Sequence, residues 1–378
     1  MSETLTIVAG QQIVQAAETF DRLGQVRLVN GRSINPGTVK DADVLLVRSV
    51  TRVDETLLKG SAVRFVGSAT SGIDHIDQTY LENAGICFAH APGSNARSVA
   101  EYVLSSLFAI AELQDFSLTD KTVGIIGCGE VGSRLRHFLQ CLNIKCLIHD
   151  PPRQLHQPDD DYVDLETIAT ADIISLHVPL DSEPDYPTRN LVDANFLSKL
   201  KNDVILINTS RGEVINEVDL TSFKQHHPEA TLVLDVWHHE PDINLELLQQ
   251  TLIATPHIAG YSFDGKLKAT RMLYRALQAF IGKPVTDETG GNNETALTEI
   301  SADQVSLAVM QSYDVRSDAV GLRQLLTLAA AERPAFFDML RKNYPVRREF
   351  SQRIVKSSTM DQQTAQQCQQ LGFKLTSA

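Results

Sequence analysis

No stretch of this 378-residue sequence approaches the about 18 uninterrupted apolar residues that a membrane-spanning helix needs. Its start, Met1-Ser2-Glu3-Thr4, has no basic region followed by a long apolar run, so neither a membrane span nor secretion is expected. Cysteine is sparse. Cys87, Cys128, Cys141, Cys146 and Cys368 form an odd, scattered set without a CxxC pair, which argues against a disulfide framework and fits a reducing cytoplasm. Basic residues are outnumbered 34 to 47, leaving a formal charge of −13. Such a chain lacks the basic surface that releases counterions from a phosphate backbone, so no nucleic-acid partner is expected. Any anionic substrate must meet positive charge held locally, which singles out Arg48, Arg52 and Arg211. HExxH and other tight ligand spacings are also missing, so the adjacent His238 and His239 are not read as a metal site and no metal is expected.

What is present is ordinary core material, 43% hydrophobic and 21% charged, in a chain long enough for two or three domains. Short β-rich runs at Leu5, Val26, Val44, Val63 and Ile86 alternate with helical stretches, the rhythm of a small α/β domain. A long helical pattern begins at Ala96. Between Lys121 and Thr255 a second alternation places strands near 123, 145, 172, 203, 231 and 252, a spacing that suits a doubly wound sheet. The segment from Tyr261 to Ile281 has helical spacing. Gly282 to Glu294 then breaks every period and reads as a domain boundary. Beyond it, Val305-Ser306-Leu307-Ala308-Val309 reads as a strand and Leu322 to Ala330 as a helix, which suggests an appended α+β module.

Gly127-Cys128-Gly129-Glu130-Val131-Gly132 follows the strand-like Thr122 to Ile126 and opens a helical pattern. In this context GxGxxG is a dinucleotide fingerprint. The first glycines let the chain turn sharply and approach a pyrophosphate, and Gly132 lets helix and strand pack closely. Asp150 lies 18 residues beyond Gly132, where a carboxylate can hold both ribose hydroxyls and repel a 2′-phosphate. NAD is favoured over NADP, although Arg153 is of the type that accommodates a 2′-phosphate.

Three further residues each follow an apolar, strand-like run: Arg211, Glu240 and His257. Singly, they have ordinary readings as a loop arginine, a turn acid and a satisfied histidine. Carboxyl ends of parallel strands open onto one crevice, however, so the three can converge on one small molecule. Oxidising a 2-hydroxy acid needs a base for the hydroxyl proton, a partner for that base and a cation for the carboxylate. His257, Glu240 and Arg211 supply them.

Taken together, Gly127 to Gly132, Asn208-Thr209-Ser210-Arg211-Gly212, Asp235-Val236-Trp237-His238-His239-Glu240-Pro241 and Thr255-Pro256-His257-Ile258-Ala259-Gly260 resemble the D-isomer-specific 2-hydroxyacid dehydrogenases. The resemblance implies a Rossmann-type NAD domain at 96–257, inserted in a flavodoxin-like substrate domain at 1–95 and 258–282. It also implies a C-terminal dimerisation domain at 283–378, and hence a homodimer. It assigns Arg211, Glu240 and His257 to catalysis. Cofactor contacts fall to Gly127, Gly129, Glu130, Val131, Gly132, Asp150, Val178, Asp235 and Gly260, and substrate contacts to Arg48, Ser49, Thr70 and Tyr261. Val178, Ser68 and Ser71 depart from the Thr, Thr and Ala that the resemblance leads one to expect. The implied reaction is NAD-dependent oxidation of a phosphorylated four-carbon 2-hydroxy acid. A three-carbon phosphorylated substrate and an NAD(H)-sensing scaffold are the alternatives. The basic pair Arg347-Arg348 reads either as surface or as reaching a partner subunit's phosphate site.

Overall fold

The computed structural model describes residues 4–157, 161–181, 185–286, 297–357 and 359–377, arranged as two compact units. Unit one comprises 1–95 and 262–296, and unit two comprises 96–261 and 297–378. In unit one, strands β1 (Leu5–Gly10), β2 (Gly24–Val29), β3 (Val44–Val47), β4 (Phe65–Ser68) and β5 (Cys87–His90) form a parallel sheet in the order β2-β1-β3-β4-β5. This is the flavodoxin-like order. Alternate residues feed two cores: Ile7, Ala9, Val44 and Leu46 pack with the helix Phe263–Phe280 on one face, while Val8, Leu45, Val47 and Val66 pack on the other. A parallel sheet buried on both faces needs such continuous apolar strands.

Unit two carries β6 (Thr122–Ile126), β7 (Lys145–His149), β8 (Ile173–Leu176), β9 (Ile205–Asn208), β10 (Thr231–Leu234) and β11 (Ile253–Ala254). All run parallel in the order β11-β10-β9-β8-β6-β7, with both faces again buried. The order reverses between β6 and β8. That switch point is where a doubly wound sheet opens its ligand crevice, and the glycine turn of 127–132 leaves β6 directly beside it.

Three more parallel strands, β12 (Thr298–Ser301), β13 (Arg353–Ser357) and β14 (Lys374–Ser377), form the C-terminal sheet. The expected strand at Val305 is instead the helix Val305–Ser312, whose Val305, Ala308 and Val309 are buried. A short apolar run has no period that separates strand from helix, and packing decided it. The expected helix at Leu322 ends there, as Val315–Leu322, and continues as a 3-10 turn over Arg323–Thr327. The expected boundary segment falls largely on 287–296, outside the described residues.

Residues 297–378 share unit two with the nucleotide sheet rather than standing apart. The reason lies in the helix Ala96–Gln114, which is buried over most of its surface, polar positions included. Ser98 donates to Glu349 at 2.8 Å and Ser105 to the Tyr313 carbonyl at 2.8 Å, while Glu101 accepts from Arg97 Nε at 2.9 Å and from the Phe350 N–H at 3.0 Å. Arg347, read from sequence as exposed or partner-facing, is only 6% exposed. It donates to the carbonyls of Ser98 and Ala259 and lies 4.0 Å from the Tyr313 ring centroid.

Burial, and after it the Glu349 charge, push the Glu101 carboxyl up to about 8 against the pull of Arg97 and Arg347. Its raised value stabilises the fold fully below the ordinary glutamate range, and this contribution is lost as pH rises through about 8. Thermal unfolding between about pH 5 and about pH 9 should therefore show Glu101→Gln gaining a few degrees on wild type towards the alkaline end. A pH-independent difference would contradict this.

Candidate active site and cofactor cradle

The catalytic triplet predicted from sequence lies at three neighbouring strand ends of unit two: Arg211 after β9, Glu240 after β10 and His257 after β11. His257 Nδ1 is 2.8 Å from Glu240 Oε2, and the other carboxylate oxygen accepts the Trp237 N–H at 2.9 Å. Burial raises the Glu240 carboxyl, but the His257 charge and hydrogen bond, the Trp237 N–H and the Arg341 charge outweigh it and leave it below its ordinary range. Glu240 is thus held as the anion, oriented to receive an N–H from His257. The opposite ring nitrogen, Nε2, remains to exchange a proton with substrate.

His257 has φ +57°, a left-handed conformation that is uncommon for a residue with a side chain. Asp235 holds it there. The Asp235 carbonyl accepts the His257 N–H at 2.7 Å, and its carboxylate accepts Ile258 N–H at 2.7 Å, Ala259 N–H at 2.9 Å and the Thr255 hydroxyl at 2.6 Å. Trp237 adds a bond from its indole N–H to the Thr255 carbonyl at 2.9 Å. On the other side, a Cβ at Gly212 would come within 2.1 Å of the Trp237 carbonyl carbon. The Arg211 turn therefore rests directly on the Glu240 turn, and glycine alone permits this approach. Asn208 fixes the same turn by donating to the Arg211 carbonyl at 2.8 Å and accepting from Ser210.

Gly127, Gly129, Glu130, Val131 and Gly132, read from sequence as cofactor contacts, leave β6 at the switch point, whereas Asp235 and Gly260 lie past β10 and β11. Gly127 has φ +88°, and a Cβ there would meet the His177 carbonyl oxygen at 2.7 Å and Val178 at 2.9 Å, which places Val178 beside the turn. A Cβ at Gly132 would fall 2.0 Å from the Gly127 carbonyl oxygen. Around Gly129, by contrast, space is open. This glycine caps the 12-residue helix Glu130–Cys141, so the first-turn N–H groups of Glu130 and Val131 lie at a helix N-terminus suited to a pyrophosphate. Asp150 accepts the Cys128 N–H at 2.7 Å and the Arg153 N–H at 3.0 Å. Arg153 bonds the Cys128 carbonyl and, at 3.0 Å, Gln157. Its guanidinium braces the glycine loop, and the residues present fit NAD.

Arg48, Ser49 and Thr70 belong to unit one, at the ends of β3 and β4. Arg48 donates to the Ala69 carbonyl at 3.1 Å, and the Thr70 hydroxyl lies 2.6 Å from that of Ser68. Sequence reasoning missed Lys266 here. On the second turn of the helix Phe263–Phe280, its ammonium is pushed down to about 8 by burial and by the Arg48 charge. Its position just past Gly260-Tyr261-Ser262 was the available signal. Tyr261 and Gly260 lie in unit two, with Tyr261 packed edge-on to Tyr344 at 5.9 Å. Among the described residues, no cluster of metal-ligating side chains occurs.

A family profile described as "D-isomer specific 2-hydroxyacid dehydrogenase, NAD binding domain" matches residues 96–259. The erythronate-4-phosphate dehydrogenase of Marinobacter nauticus is 44% identical over 384 residues, covering 98% of this chain and 100% of the relative. The chain belongs to the D-isomer-specific 2-hydroxyacid dehydrogenase family. A second member with the same printed name, from Klebsiella pneumoniae, is 44% identical over 98% of both chains. Among solved structures of dehydrogenases, NAD-bound 3-phosphoglycerate dehydrogenase of Entamoeba histolytica aligns with TM-score 0.63 and 25% identity, covering 77% of this chain and 100% of that one. D-lactate dehydrogenase of Aquifex aeolicus, bound to NAD and lactic acid, aligns with TM-score 0.61 and 24% identity over 73% of this chain and 95% of that one. Residues 292–372 match a domain of unknown function, DUF3410.

The contact at Gly212 generates a test of this 2-hydroxyacid dehydrogenase site. Gly212→Ala should lower kcat/KM by about 100-fold, since displacements of about an ångström cost that much, and should also lower thermal stability, because the added Cβ meets the Trp237 and His238 backbone. Full activity would show that the Arg211 turn tolerates movement against Trp237.

Proposed function

We propose that this chain catalyses the NAD-dependent oxidation of 4-phospho-D-erythronate to (R)-3-hydroxy-2-oxo-4-phosphooxybutanoate, a step of pyridoxine and pyridoxal 5′-phosphate biosynthesis in the cytoplasm. The observation that carries this reading is the Glu240–His257 pair beside a nucleotide cradle, in a chain aligned end to end with relatives named for that activity. The alignment with 3-phosphoglycerate dehydrogenase stops at 77% of the chain. None of the described helices is long and apolar enough to cross a membrane.

In this mechanism the Arg211 guanidinium pairs with the substrate carboxylate and fixes the C2 hydroxyl towards His257 Nε2. His257 takes the hydroxyl proton as the C2–H bond breaks, and the Glu240 carboxylate stabilises the imidazolium formed. Bound NAD supplies the acceptor for the hydride leaving C2. Asp150 holds the adenosine ribose, while the N–H groups of Glu130 and Val131 face the pyrophosphate. Ser49, Thr70 and Tyr261 contact the substrate, and Arg48 with Lys266 supplies the positive charge for its phosphate. Exposed apolar side chains at Leu307, Val320, Met339 and Val346 support a homodimer formed through the C-terminal region.

NADH formation measured with 4-phospho-D-erythronate and 3-phospho-D-glycerate in parallel, with a 2-oxo acid added to re-oxidise tightly held cofactor, decides the reaction. Preference for the four-carbon acid is expected, with a loss of at least about 100-fold in His257→Ala. Preference for phosphoglycerate would reassign the substrate, and NADH binding without turnover of either would favour a sensing scaffold. Lys266→Met should raise KM about tenfold or more while changing kcat less, the signature of lost ground-state binding. An unchanged KM would remove Lys266 from the phosphate site.

A further inference from the structure

The C-terminal helix Arg333–Lys342 carries a cation, Arg341, onto the ring of Tyr261. Arg341 lies with its guanidinium carbon 5.9 Å from the Tyr261 ring centroid. Tyr261 also packs edge-on to the ring of Tyr344 at 5.9 Å. Arg341 Nε is buried with no hydrogen-bond partner, while the guanidinium hydrogen-bonds Tyr261. Resting on the reading above, we propose that Arg341 is a positioning residue of this dehydrogenase site, acting on substrate through the Tyr261 ring and on the proton acceptor His257 through the Glu240 carboxylate.

Two consequences follow from different properties of the guanidinium. Its flat face restrains an aromatic ring, which an ammonium does less well. Its charge acts at longer range. Charged and titratable groups around the pair include His257 and Glu240 themselves, His238 and His239 in the Glu240 turn, Arg211 in the turn packed on it, Arg341 with its neighbours Tyr261 and Asp338, and Asp235 beneath the His257 loop. Burial lowers the Arg341 guanidinium, but the Tyr261 phenol beside it, the Glu240 charge, the hydrogen bond to Tyr261 and the Asp338 charge outweigh this and raise it above its ordinary value. Arg341 therefore remains a cation throughout the working range. The same charge favours the Glu240 anion, and its removal makes that anion harder to keep.

The test compares wild type with Arg341→Met, Arg341→Gln and Arg341→Lys. Both neutral variants should raise KM about tenfold and shift the acid limb of kcat/KM upward by roughly half a pH unit or more. Arg341→Lys should restore the acid limb but not KM, because it returns the charge without the flat face. In parallel, the Glu240 carboxyl carbon resonance, assigned through Glu240→Gln, is titrated without substrate in each folded variant. It should move to higher pH in the neutral variants and return in Arg341→Lys. An unmoved Glu240 titration in a folded neutral variant would overturn the proposal. If wild type turns over no phosphorylated hydroxy acid, the proposed reaction fails, while the carboxyl titration still decides whether Arg341 acts on Glu240. Two neutral side chains are included so that misfolding of one leaves the other to decide.

Discussion

The active geometry of unit two hangs on a buried carboxylate. Asp235 is 1% exposed, yet it accepts two backbone N–H groups and a hydroxyl while its own carbonyl accepts the His257 N–H. Each bond alone is modest, but a buried carboxylate robbed of its donors is costly, so they are made together or not at all. Thr255 extends the network to the Tyr102 hydroxyl at 2.7 Å, tying the loop after β11 to the buried helix Ala96–Gln114. Through this one group, a strained histidine backbone, the last strand of the nucleotide sheet and a helix from its opposite end share a single arrangement.

The sheet architecture was legible because parallel strands buried on both faces must be continuously apolar, and runs such as Val204-Ile205-Leu206-Ile207 can be little else. The glycine turn was legible for a related reason. Gly127 and Gly132 occupy positions where any Cβ would strike a carbonyl oxygen, so the spacing itself encodes the geometry. Arg211, Glu240 and His257 could be placed at strand ends, and the pairing of β10 with β11 brings the last two near each other, while their 2.8 Å contact depends on the loop that Asp235 holds.

What stayed hidden depends on contacts between distant segments. Val305 to Val309 is helical because it packs on the helix Ala96–Gln114, about two hundred residues earlier, and no local pattern records that. Nothing in the sequence marks Ser98, Glu101 and Ser105 as buried, and their partners are Glu349, Phe350, Tyr313 and Val315. Arg347 was legible as unusual but not as buried, since its carbonyl acceptors at Ser98 and Ala259 lie far off in the chain. Arg341 and Lys266 carry no motif at all. For Arg341 only the fold displays its place, whereas Lys266 had its position just past Gly260-Tyr261-Ser262 as the available signal.

Trp237 is the sole tryptophan of the chain, and every bond it makes belongs to the catalytic loops: its amide to Glu240, its indole to Thr255, its backbone against Gly212. The emission of this one tryptophan, excited at the red edge where the tyrosines hardly absorb, therefore comes from a single place. That tryptophan emission reports the Arg211 and Glu240 turns and the unit-two core on which they sit, so their loosening can be followed by light separately from unfolding of the first sheet.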